Sequence, residues 1–150
     1  MLANVYLHYA LDLWFERVFQ RNCKGVAFLH RYADDFVCGF AQAEDAQRFY
    51  GELEERLRKF ELELAGEKTR VIPFSRYRRG ETSFDFLGFE FYWEPDRKGR
   101  PRVKRRTASK KLEAGVQRMT EWIKKNRHKP RNQLMRTLRA KLRGTWNYYG

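Results

Sequence analysis

Two adjacent carboxylates, Asp34 and Asp35, are the residues of this sequence whose type and spacing best suit chemistry. They lie between two short apolar runs, 26–29 and 36–40, whose β-branched and aromatic residues predict β-strands. The simplest geometry is a β-hairpin with both aspartates at its tip. Neighbouring negative charges repel each other, and desolvation strengthens the repulsion. A divalent cation would relieve it, and Mg²⁺ prefers hard oxygen ligands, so the pair predicts a magnesium site.

The same dipeptide also suits an ordinary hairpin turn. Aspartate tolerates left-handed backbone angles, and its side chain bonds to nearby backbone groups. The dipeptide alone therefore favours the turn, and only the wider sequence favours a catalytic role.

That wider sequence carries a resemblance. Tyr32-Ala33-Asp34-Asp35 between two hydrophobic strands resembles the catalytic hairpin of reverse transcriptases. Four other segments resemble parts of group II intron-encoded reverse transcriptases, and they follow one another in the family's order. These are the helix before the hairpin (2–12), the lysine motif after the palm helix (66–69), the primer-grip hairpin (86–89) and the end of the maturase or thumb-like region (142–150).

The resemblance implies an α+β fold in two parts. Residues 1–94 would form a partial reverse-transcriptase palm, an antiparallel sheet with packed helices. Residues 95–150 would form a small, basic, helical thumb-like region. The segment 94–101 is rich in turn residues and marks the expected boundary.

The implied activity is RNA-directed DNA polymerisation with two Mg²⁺ ions, using dNTPs on an RNA-containing template–primer. Asp34 and Asp35 would be the catalytic metal ligands. Lys68 would lie near the incoming triphosphate, although a lysine after a helix C-terminus is also explained by the helix dipole.

Three further residues are implied to contact the primer or nucleotide. Tyr32 would shape the hairpin beside the primer end. Leu87 and Gly88 would contact the primer from a tight hairpin that Gly88 permits.

Other parts of the family pattern have no counterpart in this sequence. The family has a further catalytic aspartate, a fingers region and a Pro-Gln-Gly motif before the region that this chain resembles. Asp12 does not replace the missing aspartate, because it lies in the helix that follows these features in the family. For Asp12 we favour a bond to a backbone group or a position facing water. We therefore expect little or no polymerase activity from this chain alone. We also expect homodimerisation through the helix at 2–20, where absent fingers would leave palm surface uncovered.

Charge separates the two halves of the chain. Residues 1–94 hold 13 basic and 16 acidic residues, whereas residues 95–150 hold 19 basic and 3 acidic residues. Such a positive excess attracts polyanions, so RNA is the expected partner rather than an anionic membrane. The expected nucleic-acid contacts are Arg102, Lys104, Arg105, Arg106, Lys110, Lys111, Arg139 and Arg143.

Two alternatives to the polymerase remain open. The first is a non-catalytic maturase module that binds intron RNA through the basic part. The second is another palm-type enzyme, such as a nucleotide cyclase, which the basic thumb-like part disfavours.

Periodicity predicts the remaining elements. Helices are expected at 2–20, at 43–64 and over two segments after Ser109, and a strand is expected at 69–74. No apolar run is long enough to cross a bilayer. The two cysteines form neither a disulfide framework nor a zinc spacing, so the cytoplasm is the expected compartment.

Overall fold

The computed structural model describes residues 2–77 and 82–149. The chain divides into two compact units, residues 1–75 and residues 76–150. Both contain antiparallel strands and helices, so the predicted α+β fold with antiparallel sheets is confirmed. No helix in the described ranges is long and apolar enough to cross a membrane.

The first unit begins with a long helical segment. It starts as α1 (Leu2–Leu7), widens into π-helical turns at His8–Asp12 and Phe15–Phe19, and closes with a 3₁₀ turn at Gln20–Asn22. Widened turns leave carbonyls poorly matched to the helix ladder. Arg56 supplies donors here, from Nε to the carbonyl oxygen of Ala10 at 2.9 Å and from Nη2 to that of Tyr9 at 3.1 Å.

A two-stranded hairpin follows this segment. Strand β1 (Ala27–Tyr32) pairs antiparallel with β2 (Asp35–Phe40), from Ala27 opposite Phe40 to Tyr32 opposite Asp35. Alternate side chains of a strand point to opposite faces. Ala27 and Leu29 therefore join the core, whereas Phe28 and Tyr32 are exposed on the other face.

Helix α2 (Ala43–Arg58) completes the core of the first unit. Its apolar face buries three residues against buried residues of the helical segment. The buried cluster comprises Leu11, Phe15, Phe19, Ala27, Phe49, Leu53 and Leu57.

The predicted extension of this helix to residue 64 is wrong. Glu61 adopts a left-handed φ of 55°. The amide of Leu62 donates to the Leu57 carbonyl at 3.1 Å, and the amide of Glu61 donates to that of Arg58 at 3.0 Å. This pair of bonds is the Schellman motif, which ends a helix and satisfies its last carbonyls.

The strand predicted at 69–74 is also wrong, because the structure assigns no strand to these residues. Residues 65–69 form a turn instead, in which the amides of Lys68 and Thr69 donate to the carbonyl of Ala65. Pro73 has no amide to donate to a strand ladder. In the described residues, the sheet of the first unit has only β1 and β2.

The second unit is built on a three-stranded antiparallel sheet. Its strands are β3 (Ser83–Phe86), β4 (Phe89–Pro95) and β5 (Pro101–Thr107), with β4 in the centre. The segment expected to separate two domains therefore includes the turn between β4 and β5. The assignment of residues 1–94 to a palm and 95–150 to a thumb remains a prediction.

Two helices follow the sheet, α3 (Ser109–Asn126) and α4 (Arg131–Tyr149). Neither has a buried residue. The end of α4 contacts the sheet, where the rings of Tyr148 and Tyr149 lie 5.9 and 5.4 Å from the ring of Phe89.

Candidate active site and nucleic-acid interface

The two aspartates occupy the tip of the β1–β2 hairpin. Tyr32 and Asp35 form the last cross-strand pair, so Ala33 and Asp34 make a two-residue turn. Ala33 takes a φ of 55°, which such tight hairpin turns require at their first central residue. Asp34 and Asp35 are both exposed, and neither forms an ion pair or a hydrogen bond through its side chain within the described ranges. Their oxygens are free to bind a ligand.

Arg31 fixes this turn to the helical segment. Its Nε and Nη2 donate to the two carboxylate oxygens of Asp12 at 2.7 and 2.6 Å. Its Nη1 donates to the carbonyl oxygen of Ala33 at 2.7 Å and to Oδ1 of Asn4 at 3.3 Å. A planar guanidinium makes such a bidentate contact with defined geometry. The backbone just before Asp34 is therefore tied to a helix through one side chain.

The environment of Asp12 keeps it ionised for this contact. Burial raises the pKa of Asp12, but hydrogen bonds from Arg31 and His8 outweigh burial and hold the pKa below its usual value. The Arg31 side chain is 12% exposed and that of Asp12 is 19% exposed. The pair is thus shielded from solvent, unlike most surface ion pairs.

The donor set at the tip fits a single Mg²⁺ ion. Magnesium in proteins is commonly held by one or two carboxylates, with water and substrate phosphates completing the shell. Asp34 and Asp35 supply two adjacent carboxylates. Over residues 2–77 and 82–149, no cluster of three or more His, Cys, Asp or Glu side chains could hold a metal. The described residues therefore bring no third acid to the hairpin.

Comparison with known families gives this geometry its context. Residues 1–91 match the family described as reverse transcriptase (RNA-dependent DNA polymerase). The chain belongs to the reverse transcriptase family. The matched region contains the whole first unit, β3, and the turn at Leu87 and Gly88. Comparison with curated proteins gives no match.

Two other residues predicted to belong to the site lie in the first unit of this reverse transcriptase. Tyr32 is 67% exposed at the end of β1, next to the turn. Lys68 is exposed in the turn at 65–69. None of the described contacts joins Lys68 to Asp34 or Asp35.

Leu87 and Gly88 form the turn between β3 and β4. Both have positive φ, 52° and 83°, which is the pattern of a type I′ hairpin turn. The turn is contacted by the end of α4. Tyr148 Oη donates to the Leu87 carbonyl at 3.2 Å, and a Cβ at Gly88 would lie 3.3 Å from Tyr149 Oη. The amide of Ala108 donates to the Gly88 carbonyl at 3.0 Å.

The cations of β5 lie on a strand, and three of them have acidic partners. Arg106 lies 2.6 Å from Glu90, and its hydrogen bond lowers the pKa of that carboxyl. Lys104 lies 2.7 Å from Glu94, and Arg102 lies 3.3 Å from Asp96. The positive charge on this face of the sheet is therefore balanced locally.

Arg105 lies on the opposite face of β5. Its guanidinium carbon is 5.0 Å from the centre of the Phe89 ring. Lys110 and Lys111 are exposed in the first turn of α3.

Helix α4 presents cations without such partners. No acidic residue occurs in the sequence after Glu121. Arg136, Arg139 and Arg143 recur at three- and four-residue steps, so they lie along one side of the helix. In the described residues none of these three arginines forms an ion pair. We call them the α4 arginine stripe.

Sequence reasoning missed the pairing of Asp12 with Arg31. It treated Asp12 as bonded to backbone or facing water. An available signal was Asp12 itself, the one acid in the otherwise apolar stretch 9–15, because an acid there requires a partner if the stretch is buried. Sequence reasoning also missed the contact of Tyr148 and Tyr149 with Phe89 of the sheet.

Proposed function

We propose that this reverse-transcriptase chain is of the group II intron type and carries out RNA-directed DNA synthesis with Mg²⁺. The observation that carries the proposal is the exposed pair Asp34 and Asp35 at a hairpin tip that Arg31 fixes, in a chain of this family. Both carboxylates would hold the metal. When bound, magnesium would stabilise negative charge on the attacking and leaving oxygens.

The other residues would position the substrates. Tyr32 stands at the exposed side of the tip, where its ring can contact the primer end. Leu87 and Gly88 would contact the primer backbone, and Lys68 would neutralise phosphate charge of the incoming dNTP. Each role is an expectation from the family resemblance, supported by exposure or turn geometry in the structure.

We further propose that these 150 residues polymerise feebly by themselves. Two-metal nucleotidyl transfer uses a further bridging carboxylate, and no third acid in the described ranges joins Asp34 and Asp35. We propose that the bridging carboxylate is supplied from outside the described ranges. Asp34 and Asp35 would then form only part of the metal site.

Primer extension on an RNA template tests the catalytic proposal. Extension that requires Mg²⁺ and is lost in Asp34→Asn, but kept in Asp85→Asn, supports it. Asp85 is a suitable control because it is an exposed strand aspartate outside the tip. Calorimetric titration with Mg²⁺ provides a readout if turnover is slow. Equal Mg²⁺ affinity in the wild type and Asp34→Asn would contradict the proposed metal site.

The second candidate function is a non-catalytic module that binds intron RNA and assists its folding. The excess of cations in residues 95–150 favours this candidate, and the α4 arginine stripe has no acidic partner among the residues that the structure describes. Salt-sensitive RNA binding that Asp34→Asn leaves unchanged, together with no extension under any metal condition, would favour the module.

Self-association is a further expectation for the first unit. Leu2, Val5 and Tyr9 of the helical segment are 87%, 53% and 58% exposed. Burying these side chains in a dimer would remove apolar surface from water. Light scattering that gives the mass of a monomer across a concentration series would rule this out.

A further inference from the structure

A groove lies beside the α4 arginine stripe, and of its lining residues only Arg143 has a role above. It has a volume of about 640 Å³ and lies between the start of α3 and the end of α4. Its lining includes Thr107, Leu112, Leu142, Arg143, Trp146 and Tyr149. We call it the Trp146 groove. Its volume falls in the range of pockets that bind small ligands or parts of larger ones.

Trp146 exposes its aromatic ring in this groove. The residue is 75% exposed, whereas the rings of Tyr148 and Tyr149 pack against Phe89 and against each other. Leu112 and Leu142 are 57% and 50% exposed beside it. An indole with apolar neighbours presents a flat surface on which another planar ring can stack.

The groove continues into a positively charged surface. A second shallow concavity, of about 590 Å³, lies along α4 and is lined by Arg131, Asn132, Met135, Arg136, Arg139, Ala140 and Arg143. Arg143 lines both concavities, so the arginine stripe leads directly to Trp146. Among the described residues, no acid lines either concavity.

Charge decides the kind of occupant. An apolar protein helix would fit the Trp146 groove but would leave the adjoining guanidinium groups without partners. A polynucleotide satisfies both parts, because its phosphates match the arginines and its bases match the indole. Bases are available for stacking only where a strand is unpaired, since paired bases are already stacked inside a duplex.

We infer that the α4 arginine stripe and the Trp146 groove form a site for an unpaired stretch of RNA, in which a base stacks on Trp146. This inference rests on the proposed RNA binding and specifies the form of RNA that this part of the chain recognises. Arg136, Arg139 and Arg143 contact successive phosphates, and Leu112 and Leu142 form the apolar floor beside the stacked base.

Fluorescence anisotropy with the full chain tests the inference, using a short single-stranded RNA and the duplex formed with its complement. Trp146→Ala should weaken single-strand binding about tenfold, in line with the loss of one stacked base, and should leave duplex binding nearly unchanged. Trp146→Phe should restore affinity to within about twofold, because phenylalanine also offers a ring for stacking. Tyr50→Ala is the matched control, since it removes an exposed aromatic ring from α2 in the first unit.

A second readout separates stacking from a structural effect. Single-stranded RNA should quench part of the tryptophan fluorescence of the wild type. Trp146→Phe should lose that quenching even though it still binds RNA. The slope of affinity against salt should be unchanged in Trp146→Ala and reduced in Arg143→Gln, because only the arginine contacts a phosphate.

The possible failures are distinguishable. If the wild type binds neither RNA, the proposed RNA binding fails and the inference with it. If Arg143→Gln weakens binding while Trp146→Ala binds single strands like the wild type, RNA binding stands and the stacking site is overturned. Equal weakening of single-strand and duplex binding in Trp146→Ala also overturns it. A change of oligomeric state in Trp146→Ala with unaltered RNA binding would assign the groove to a second copy of the chain.

Discussion

Arg31 binds Asp12 with two hydrogen bonds of 2.7 and 2.6 Å and, with its remaining terminal nitrogen, binds the carbonyl of Ala33 at 2.7 Å. One guanidinium thus connects a helix to the turn that carries Asp34. The rotamer of Arg31 is fixed from both sides, which is how a supporting residue holds a reactive group in place.

Replacing this guanidinium should cost stability. We expect Arg31→Met to lower the free energy of unfolding by roughly 2 kcal/mol, because it removes charged hydrogen bonds and leaves the partly buried carboxylate of Asp12 with only His8 as a partner. Urea denaturation measures the change. Arg58→Met is the control, since Arg58 pairs with Glu54 at an exposed site and should contribute less than about 0.5 kcal/mol. Similar losses in both variants would show that the Arg31 contact is no stronger than a surface pair.

Acid should weaken the same contact. The folded-state pKa of Asp12 is lowered, so its contribution to stability is complete above the unfolded-state pKa and is lost as pH falls through the folded-state value. That loss begins below about pH 4, where an unperturbed aspartate titrates. Urea denaturation from neutral to acid pH should show a shallower acid decline in Asp12→Asn than in the wild type. Parallel curves would mean that Asp12 titrates alike in both states.

Neutralising the aspartates at the tip should separate function from stability. Asp34→Asn and Asp35→Asn should each reduce Mg²⁺ affinity, because a carboxylate ligand is replaced by a neutral amide. Stability without metal should be equal or slightly higher, since two adjacent exposed charges no longer repel. Titration calorimetry and thermal unfolding measure the two effects, with Asp85→Asn as the control. A large loss of stability in Asp34→Asn would indicate a structural role in the turn.

The turn at Leu87 and Gly88 offers a test of backbone geometry. Gly88→Ala should destabilise the chain by about 1–2 kcal/mol, because a left-handed conformation is costly for residues with a Cβ. The new methyl group would also lie 3.3 Å from Tyr149 Oη.

Gly115→Ala provides the matched control for that turn. Gly115 lies in α3 with open space around its Cβ position, so alanine there should stabilise the helix by about 0.5–1 kcal/mol. Opposite signs for the two substitutions in thermal unfolding are the expected result. Loss of stability in both would contradict the left-handed geometry as the reason for glycine in the turn.

The α4 arginine stripe and the paired cations of β5 should contribute differently to RNA binding. Replacing Arg136, Arg139 and Arg143 together by Gln should reduce the slope of log affinity against log salt by roughly one unit for each phosphate that is no longer neutralised. Replacing Arg102, Lys104 and Arg106 should have a smaller effect, because these side chains already pair with acids of the sheet. Filter binding across a salt series measures both slopes. A larger change in the β5 variant would show that RNA displaces those ion pairs.

Several elements could be predicted from the sequence because their signals are local. The apolar runs on either side of Asp34 and Asp35 specified a hairpin, and the residues around Gly88 specified another. In both cases the strand signal and the short turn are properties of neighbouring residues. The excess of positive charge in residues 95–150 could likewise be predicted by counting residue types alone.

Contacts between distant residues could not be predicted in this way. The end of α2 depended on Glu61 adopting a left-handed conformation, and the expected strand at 69–74 found no neighbouring strand to pair with among the described residues. The partner of Arg31 is 19 positions away.

The sequence by itself determined that this protein has two adjacent carboxylates between strands, a cationic C-terminal part, and the motifs of its family. The tertiary structure alone decided that Arg31 and Asp12 hold the hairpin tip, that three of the β5 cations are balanced by acids, and that the α4 arginines and Trp146 remain available to a ligand. The physical reason is that residue type fixes which interactions are possible, whereas folding fixes which charges and rings come within bonding distance.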